Sequence, residues 1–333
     1  MSSLLEVEHL RVSFRERGGW STVVDDVSFE VEAGTTTGLV GESGSGKTVT
    51  ALSVLGLHRG PHVRVEGAVR FAGRDLAGLD DDALADIRGA RIGMVFQQAS
   101  RTLDPAFTVG EQIAETVRRH TGASRRDAWD RAVEMLGKVH IPRPAERARQ
   151  YPHQFSGGMA QRVVIAMALS CAPELVIADE PTTALDVTVQ ARVLALLREL
   201  QDDTGVAIVL ITHDLGVIAE MADRVAVMYA GQIVERAPIE ELFTRPRHPY
   251  SAGLMGAIPV VGQGRRLVDI PGVVPAPHAL PAGCRFHPRC PHAEPGRCDT
   301  APPPLEAAAG REVRCVRADE LALRGVLVPE ARP

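Results

Sequence analysis

Leu4 to Phe14 alternates apolar and polar residues, the period of a half-buried strand, and Val23 to Glu32 repeats the pattern after the turn-prone Arg17-Gly-Gly19. Thr35 to Val40 is a short apolar strand that runs directly into a glycine-rich segment. Lys47 to Leu57 then reads as a helix ended near Gly60-Pro61. Val65 to Phe71 and Arg91 to Phe96 are further strands, and from Val109 to about Tyr151 the pattern is helical and charged with no strand. Gly157 to Cys171 is an apolar helix. Leu175 to Asp179 and Ala207 to Thr212 are buried-type strands with a helix, Val187 to Asp202, between them. Val225 to Tyr229 and Gln232 to Arg236 form a hairpin around Ala230-Gly231. Strands alternating with helices predict an α/β fold carrying a helical insertion.

Beyond about Pro238 the periodicity fades and prolines cluster, among them Pro271, Pro275, Pro277, Pro281, Pro288, Pro291 and Pro295. This predicts a division at 237/238, with a loop-rich extension that needs a staple to hold its shape. The 333 residues suffice for one large domain plus such an appendage. Aromatics at 4% disfavour base stacking, and a net charge of −5 disfavours attraction to nucleic acid or anionic lipid. The N-terminus has no signal-like apolar stretch, and the longest apolar run, Val163 to Ala172, is shorter than the roughly 20 residues that span a bilayer. A soluble, cytoplasmic chain is the expectation.

Gly41-Glu-Ser-Gly-Ser-Gly-Lys-Thr48 sits between a predicted strand and a predicted helix, the context of a phosphate loop. Backbone N–H groups at Ser43, Gly44, Ser45, Gly46 and Val49, with the helix N-terminus, stabilise phosphate charge, and the Thr48 hydroxyl suits Mg²⁺. Only Lys47 and Lys138 are lysine in a chain of 37 basic residues, yet the loop holds one of them. A compact ammonium reaches between phosphates where a planar guanidinium would crowd the loop. Asp179 and Glu180 end an apolar strand, so their carboxylates emerge where ligands sit in open α/β sheets. Asp179 is the expected Mg²⁺ partner, and Glu180 is placed to polarise an attacking water. Ser156-Gly-Gly158 reads as a helix N-cap whose N–H groups suit a γ-phosphate.

In this order, the loop, Phe155-Ser-Gly-Gly-Met-Ala-Gln-Arg162 and Leu175-Val-Ile-Ala-Asp-Glu180 resemble the ATPase subunits of ABC transporters. The resemblance covers about Leu4 to Arg236 and implies a P-loop NTPase fold: a RecA-like core, an antiparallel β subdomain and a helical subdomain at about 98–160. It implies that Ser156, Gly157, Gly158 and Gln161 meet ATP held by an opposite subunit, with Met159 where glutamine is more frequent. Gln97 resembles the glutamine that senses Mg²⁺ and water, His213 the switch histidine at the γ-phosphate, and Ala184-Leu-Asp186 the loop that speaks across the dimer. Phe14 is at the position of the adenine-stacking aromatic, with Trp20, in a probable turn, as the alternative. ATP and Mg²⁺ follow as ligands.

Cys284, Cys290, Cys298 and Cys315 lie in the extension, and a disulfide reading conflicts with a cytoplasmic location. Four thiolates in a core-poor segment point to a metal centre, with His287 and His292 as competing zinc ligands. Arg247-His-Pro-Tyr250 and Cys284-Arg-Phe-His-Pro-Arg-Cys290 resemble the C-terminal region of oligopeptide and dipeptide transporter ATPases, some of which hold a [4Fe–4S] cluster on four such cysteines. Zn²⁺ and unliganded thiols stay open. Cys171 is expected to be an inert core residue. The resemblance implies an ATPase driving peptide import at the cytoplasmic face of a bacterial inner membrane. Its partners would be a second ATPase, identical or related, two permease subunits and a solute-binding protein. Import of nickel chelates is one alternative. A soluble ABC ATPase acting on nucleic acid or ribosomes is another, disfavoured because 97–156 is too short for a coiled-coil arm and one cassette is present. An ATP-independent interaction protein is the third, opposed by intact Lys47, Glu180 and His213.

Overall fold

The computed structural model describes residues 3–183, 185–257, 269–308 and 310–326. They fall into two compact units. The first comprises Leu4–Glu30, Thr37–Ala77 and the chain from Thr212 onward. Its antiparallel sheet runs Gly19–Val31, Leu5–Glu16, Val63–Phe71 and Arg74–Asp75 in spatial order. The long central pair is in register from Leu5 opposite Phe71 to Phe14 opposite Val63, with one shift between Glu8 and Arg11. Gly67 faces that irregularity: a Cβ there would lie 2.6 Å from the carbonyl oxygens of Glu8 and His9, so only glycine admits the bulge.

The same unit holds a second set of strands. Thr36–Val40 runs parallel to Arg224–Tyr229, which hairpins into Gln232–Pro238. Ala230 and Gly231 both take positive φ, 45° and 84°, as a two-residue turn between twisted strands requires. Arg311–Val313 then adds antiparallel to Gln232–Pro238, and Glu306–Ala308 adds outside it. The extension thus contributes two strands of its own. Leu39, Val40, Val225, Met228, Tyr229 and Ile233 are buried along this sheet.

The second unit comprises Val31–Thr36 and Gly78–Ile211. Ile92–Val95, Leu175–Asp179 and Ala207–Thr212 form a parallel ladder in that order. All three are buried along nearly their whole length, as strands covered on both faces must be. The expected charged helical stretch is present: Val109–Thr121 packs on Arg125–Lys138, which packs on Gly157–Leu169. Each of the first two helices starts with a hydroxyl cap, Thr108 on the Glu111 N–H and Ser124 on the Asp127 N–H. The Gly157 helix ends at Leu169, so Cys171 lies just past it, half-buried, with its thiol toward the Thr116 carbonyl. Burial pushes that thiol's pKa up. Among the described residues no helix is long and apolar enough to cross a membrane.

Candidate active site

The phosphate loop is built where strand Thr36–Val40 gives way to helix Lys47–Val54. Gly44 and Gly46 take φ of 80° and 103°, and Gly46 occupies the helix N-cap with no side-chain capping bond. The N-terminus of a helix presents N–H groups suited to an anionic ligand. At Gly41 a Cβ would sit 2.1 Å from the Met228 carbonyl oxygen, so the loop leaves its strand through a gap that only glycine fits. Ser45 is fully buried and its carbonyl accepts from the Gly231 N–H at 2.9 Å, which pins the loop to the hairpin turn. The Lys47 ammonium, 5% exposed, donates to the carbonyls of Gly41 at 2.7 Å and Glu42 at 3.0 Å and to the Ser45 hydroxyl at 3.4 Å. Thr48, Ser43 and Gly44 are exposed and Val49 half-buried. A hydroxyl at the loop's end is the hard oxygen donor that Mg²⁺ prefers.

Three further sequence candidates belong to this unit. His213 is exposed directly after strand Ala207–Thr212, and its neighbour Asp214 caps helix Leu215–Met221 through the Gly216 and Val217 N–H groups. Phe14 is half-buried with the edge of its ring against His58, centroids 5.2 Å apart. Trp20 lies in strand Gly19–Val31, correcting the expected turn, and the Arg64 guanidinium covers its ring at 3.9 Å.

The other unit carries the acidic pair and the serine cap. Asp179 is 2% exposed at the end of its strand, whereas Glu180 is half-buried. Glu180 takes a left-handed φ of 48°, and its N–H donates to the Ile211 carbonyl at 2.8 Å, so the chain turns sharply at the sheet edge while still tied to it. One carboxylate oxygen, Oε2, receives the Gln97 amide at 2.9 Å and the Thr183 hydroxyl at 2.7 Å. The structure thus brings Gln97 and Glu180 together and adds Thr183, which no sequence signal marked. Ser156 is the N-cap of helix Gly157–Leu169, exposed, and its side chain makes no cap hydrogen bond. Gly157 beside it is exposed. At Gly158 a Cβ would come within 2.5 Å of a Val189 methyl, so this turn fits against helix Val187–Thr204 only without a side chain. Gln161 is turned inward at 5% exposure, and Arg162 reaches the carbonyls of Val139 and His140. Asp186 is exposed and caps helix Val187–Thr204 through the Val189 N–H; Ala184 lies outside the described residues.

In the extension, Cys284, Cys290, Cys298 and Cys315 line one pocket with Phe286, Val316 and Leu321. All four are free thiols. Burial pushes the Cys290 and Cys315 thiols up to about 11 and raises Cys284 as well, so a metal entering here must displace protons. Among the described residues no three His, Cys, Asp or Glu side chains are arranged to hold a metal ion. A mononuclear tetrahedral site, with sulfurs about 2.3 Å from one ion, is therefore not preformed. The four thiols nonetheless share one pocket.

The ABC transporter family matches residues 24–183, and the oligopeptide/dipeptide transporter C-terminal region matches residues 234–298. A putative peptide import ATP-binding protein of Brucella abortus (strain 2308) is 51% identical over 313 residues, covering 94% of each chain. A second protein so named from the same strain is 47% identical, covering 96% of this chain and 98% of its own. Among solved structures, a dimeric ATP-binding cassette in a post-hydrolysis state with ADP and Pi is 29% identical, with a TM-score of 0.63, covering 71% of this chain and 98% of that one. The cbiO1 subunit from Clostridium perfringens, 23% identical with a TM-score of 0.63 and covering 73% and 91%, shares the fold.

Proposed function

Because the chain belongs to the ABC transporter ATPases of the oligopeptide/dipeptide type, we propose that it hydrolyses ATP to power the import of peptides through a membrane permease. The observation that carries this reading is end-to-end similarity. Relatives named for peptide import align over 94% and 96% of the chain, cassette and extension together. A soluble ABC ATPase acting on nucleic acid or ribosomes has no comparable support.

The residues divide the work as follows. The loop Gly41–Thr48 and the start of its helix hold the triphosphate. Thr48, Asp179 and Gln97 offer hydroxyl, carboxylate and amide oxygens to Mg²⁺. Glu180 accepts a proton from water as the water oxygen bonds to the γ-phosphorus and the bond to the ADP oxygen breaks. Gln97 and Thr183 fix the direction in which Glu180 points. His213 faces the γ-phosphate. Ser156 and the uncapped N–H groups behind it serve ATP held by a second cassette, and Asp186 lies at the same interface. The dimeric state of the solved relative supports that pairing. The second cassette is a copy of this chain or a related one, and the pair docks peripherally on two permease subunits at the cytoplasmic face of the inner membrane. An extracytoplasmic solute-binding protein selects the cargo.

The four tail cysteines we assign to a [4Fe–4S] cluster, with zinc as the competing occupant. Four thiols lining one pocket support the cluster. Protein purified without oxygen should carry iron and acid-labile sulfide, both lost in Cys290→Ser; stoichiometric zinc without iron refutes the assignment. The transport reading is tested with vesicles containing the permease pair and its binding protein. ATP-dependent uptake of labelled di- and oligopeptides is expected and is lost with Glu180→Gln. Uptake of a nickel chelate in place of peptide would change the cargo and keep the motor.

A further inference from the structure

Glu42, the second residue of the phosphate loop, is held at every polar point. Its carbonyl accepts from Lys47 at 3.0 Å. Its N–H donates to the Tyr250 hydroxyl at 2.9 Å. Its carboxylate accepts from the Arg289 guanidinium at 2.9 Å. The last two partners lie more than 200 residues along the chain.

Arg289 is itself built in. Its side chain is 8% exposed, and it donates to the Pro271 carbonyl at 2.7 Å, the Ile270 carbonyl at 3.3 Å and the Tyr229 hydroxyl at 3.4 Å. Tyr229, Tyr250 and Phe286 pack against one another with ring centroids 4.7 to 5.3 Å apart, all buried. A planar fork satisfied on several sides by backbone and hydroxyl oxygens has little freedom, so it acts as a rigid post rather than a tether. Phe286 and Cys290 also line the thiol pocket, and Arg289 immediately precedes Cys290.

We infer that Arg289 is a positioning residue of the ATP site: through Glu42 it fixes the backbone of the phosphate loop in the shape that receives the triphosphate. The inference rests on Gly41–Thr48 being the phosphate cradle. A loop held in advance does not lose that freedom on binding, so the strut contributes to nucleotide affinity and little to the chemical step.

The test measures ATP affinity by a fluorescent nucleotide analogue, and turnover separately, in the full chain. Arg289→Met removes a charge-assisted hydrogen bond and Glu42→Gln removes the carboxylate charge from it, and each should weaken binding about tenfold. The loss should fall more on affinity than on turnover at saturating ATP. Combining them should cost no more than either alone, since both break one strut. Arg289→Lys, which keeps the charge but not the fork, should restore part of the affinity. Should Arg289→Met fail to fold, Glu42→Gln decides by itself, because it lies on a partly exposed loop and keeps its size. Unchanged affinity in a folded Glu42→Gln, or fully additive losses in the pair, overturns the inference. Lys47→Ala separates the two levels: if it too leaves binding intact, the cradle assignment fails and not merely the strut.

Discussion

Thr183→Val is the sharpest probe of the hydrolytic arrangement, because it removes one hydroxyl and little volume. The Thr183 Oγ1–Glu180 Oε2 bond is 2.7 Å long, and the same oxygen also takes the Gln97 amide at 2.9 Å. A hydrogen bond to a charged group contributes about 1.5–3 kcal/mol, which is about a ten- to hundredfold effect if expressed wholly in the transition state. Glu180 is half-buried, so water replaces part of the lost bond and the lower end applies. Turnover of ATP by Thr183→Val should therefore fall about tenfold while nucleotide affinity holds. Glu180→Gln keeps the shape but cannot accept the proton, so its turnover should fall by about 10²–10⁴. Thr183→Ser, which restores the donor, should recover most of the loss. The assay is steady-state phosphate release at saturating Mg-ATP, with affinity measured independently. If Thr183→Val turns over within about twofold of the parent, the hydroxyl does not orient the base, and if Glu180→Gln does so, Glu180 is not the base.

Other outcomes follow from single contacts. Gly41→Ala drives a Cβ to 2.1 Å from the Met228 carbonyl, so thermal unfolding should report a loss of about 1–3 kcal/mol and ATP binding should collapse. Arg311→Met takes the countercharge from the fully buried Glu235 carboxylate, which keeps the Arg247 and His248 N–H groups as donors; urea unfolding should show a loss of about 3–5 kcal/mol, smaller when Glu235→Gln is added. Burial depresses the His248 pKa from 6.5 to about 3, so the unfolded chain binds the extra proton between those values and stability drains as pH falls through that window. The slope from this residue is at most about 1.4 kcal/mol per pH unit, and the gap in urea midpoint between pH 7 and pH 5 should shrink in His248→Asn.

The strand–helix order, the phosphate loop and the acidic pair were readable because each is local: a period, a turn chemistry, a residue type at a strand end. The hairpin at Ala230-Gly231 and the serine at the head of its helix were equally plain. The tail strands Glu306–Ala308 and Arg311–Val313 were not, since three residues among prolines are too few to show alternation. Trp20 looked like turn because two glycines precede it, yet pairing carries the strand past them. The bracing of Glu42 was invisible for another reason. Its partner Arg289 is 247 residues away, and one arginine among many bears no mark of the acid it meets. Thr183 is a commonplace residue whose role exists only once Glu180 turns back at positive φ.

The distances in sequence between the extension's arginines and their acids set an order of events at birth. Asp25, Asp26 and Glu42 leave the ribosome early, whereas Arg285, Arg314 and Arg289 follow 260, 288 and 247 residues later. A growing chain therefore carries those carboxylates without these three guanidinium partners until synthesis is almost finished. A message broken between His213 and Arg285 yields a chain that has every candidate catalytic residue and none of those three arginines.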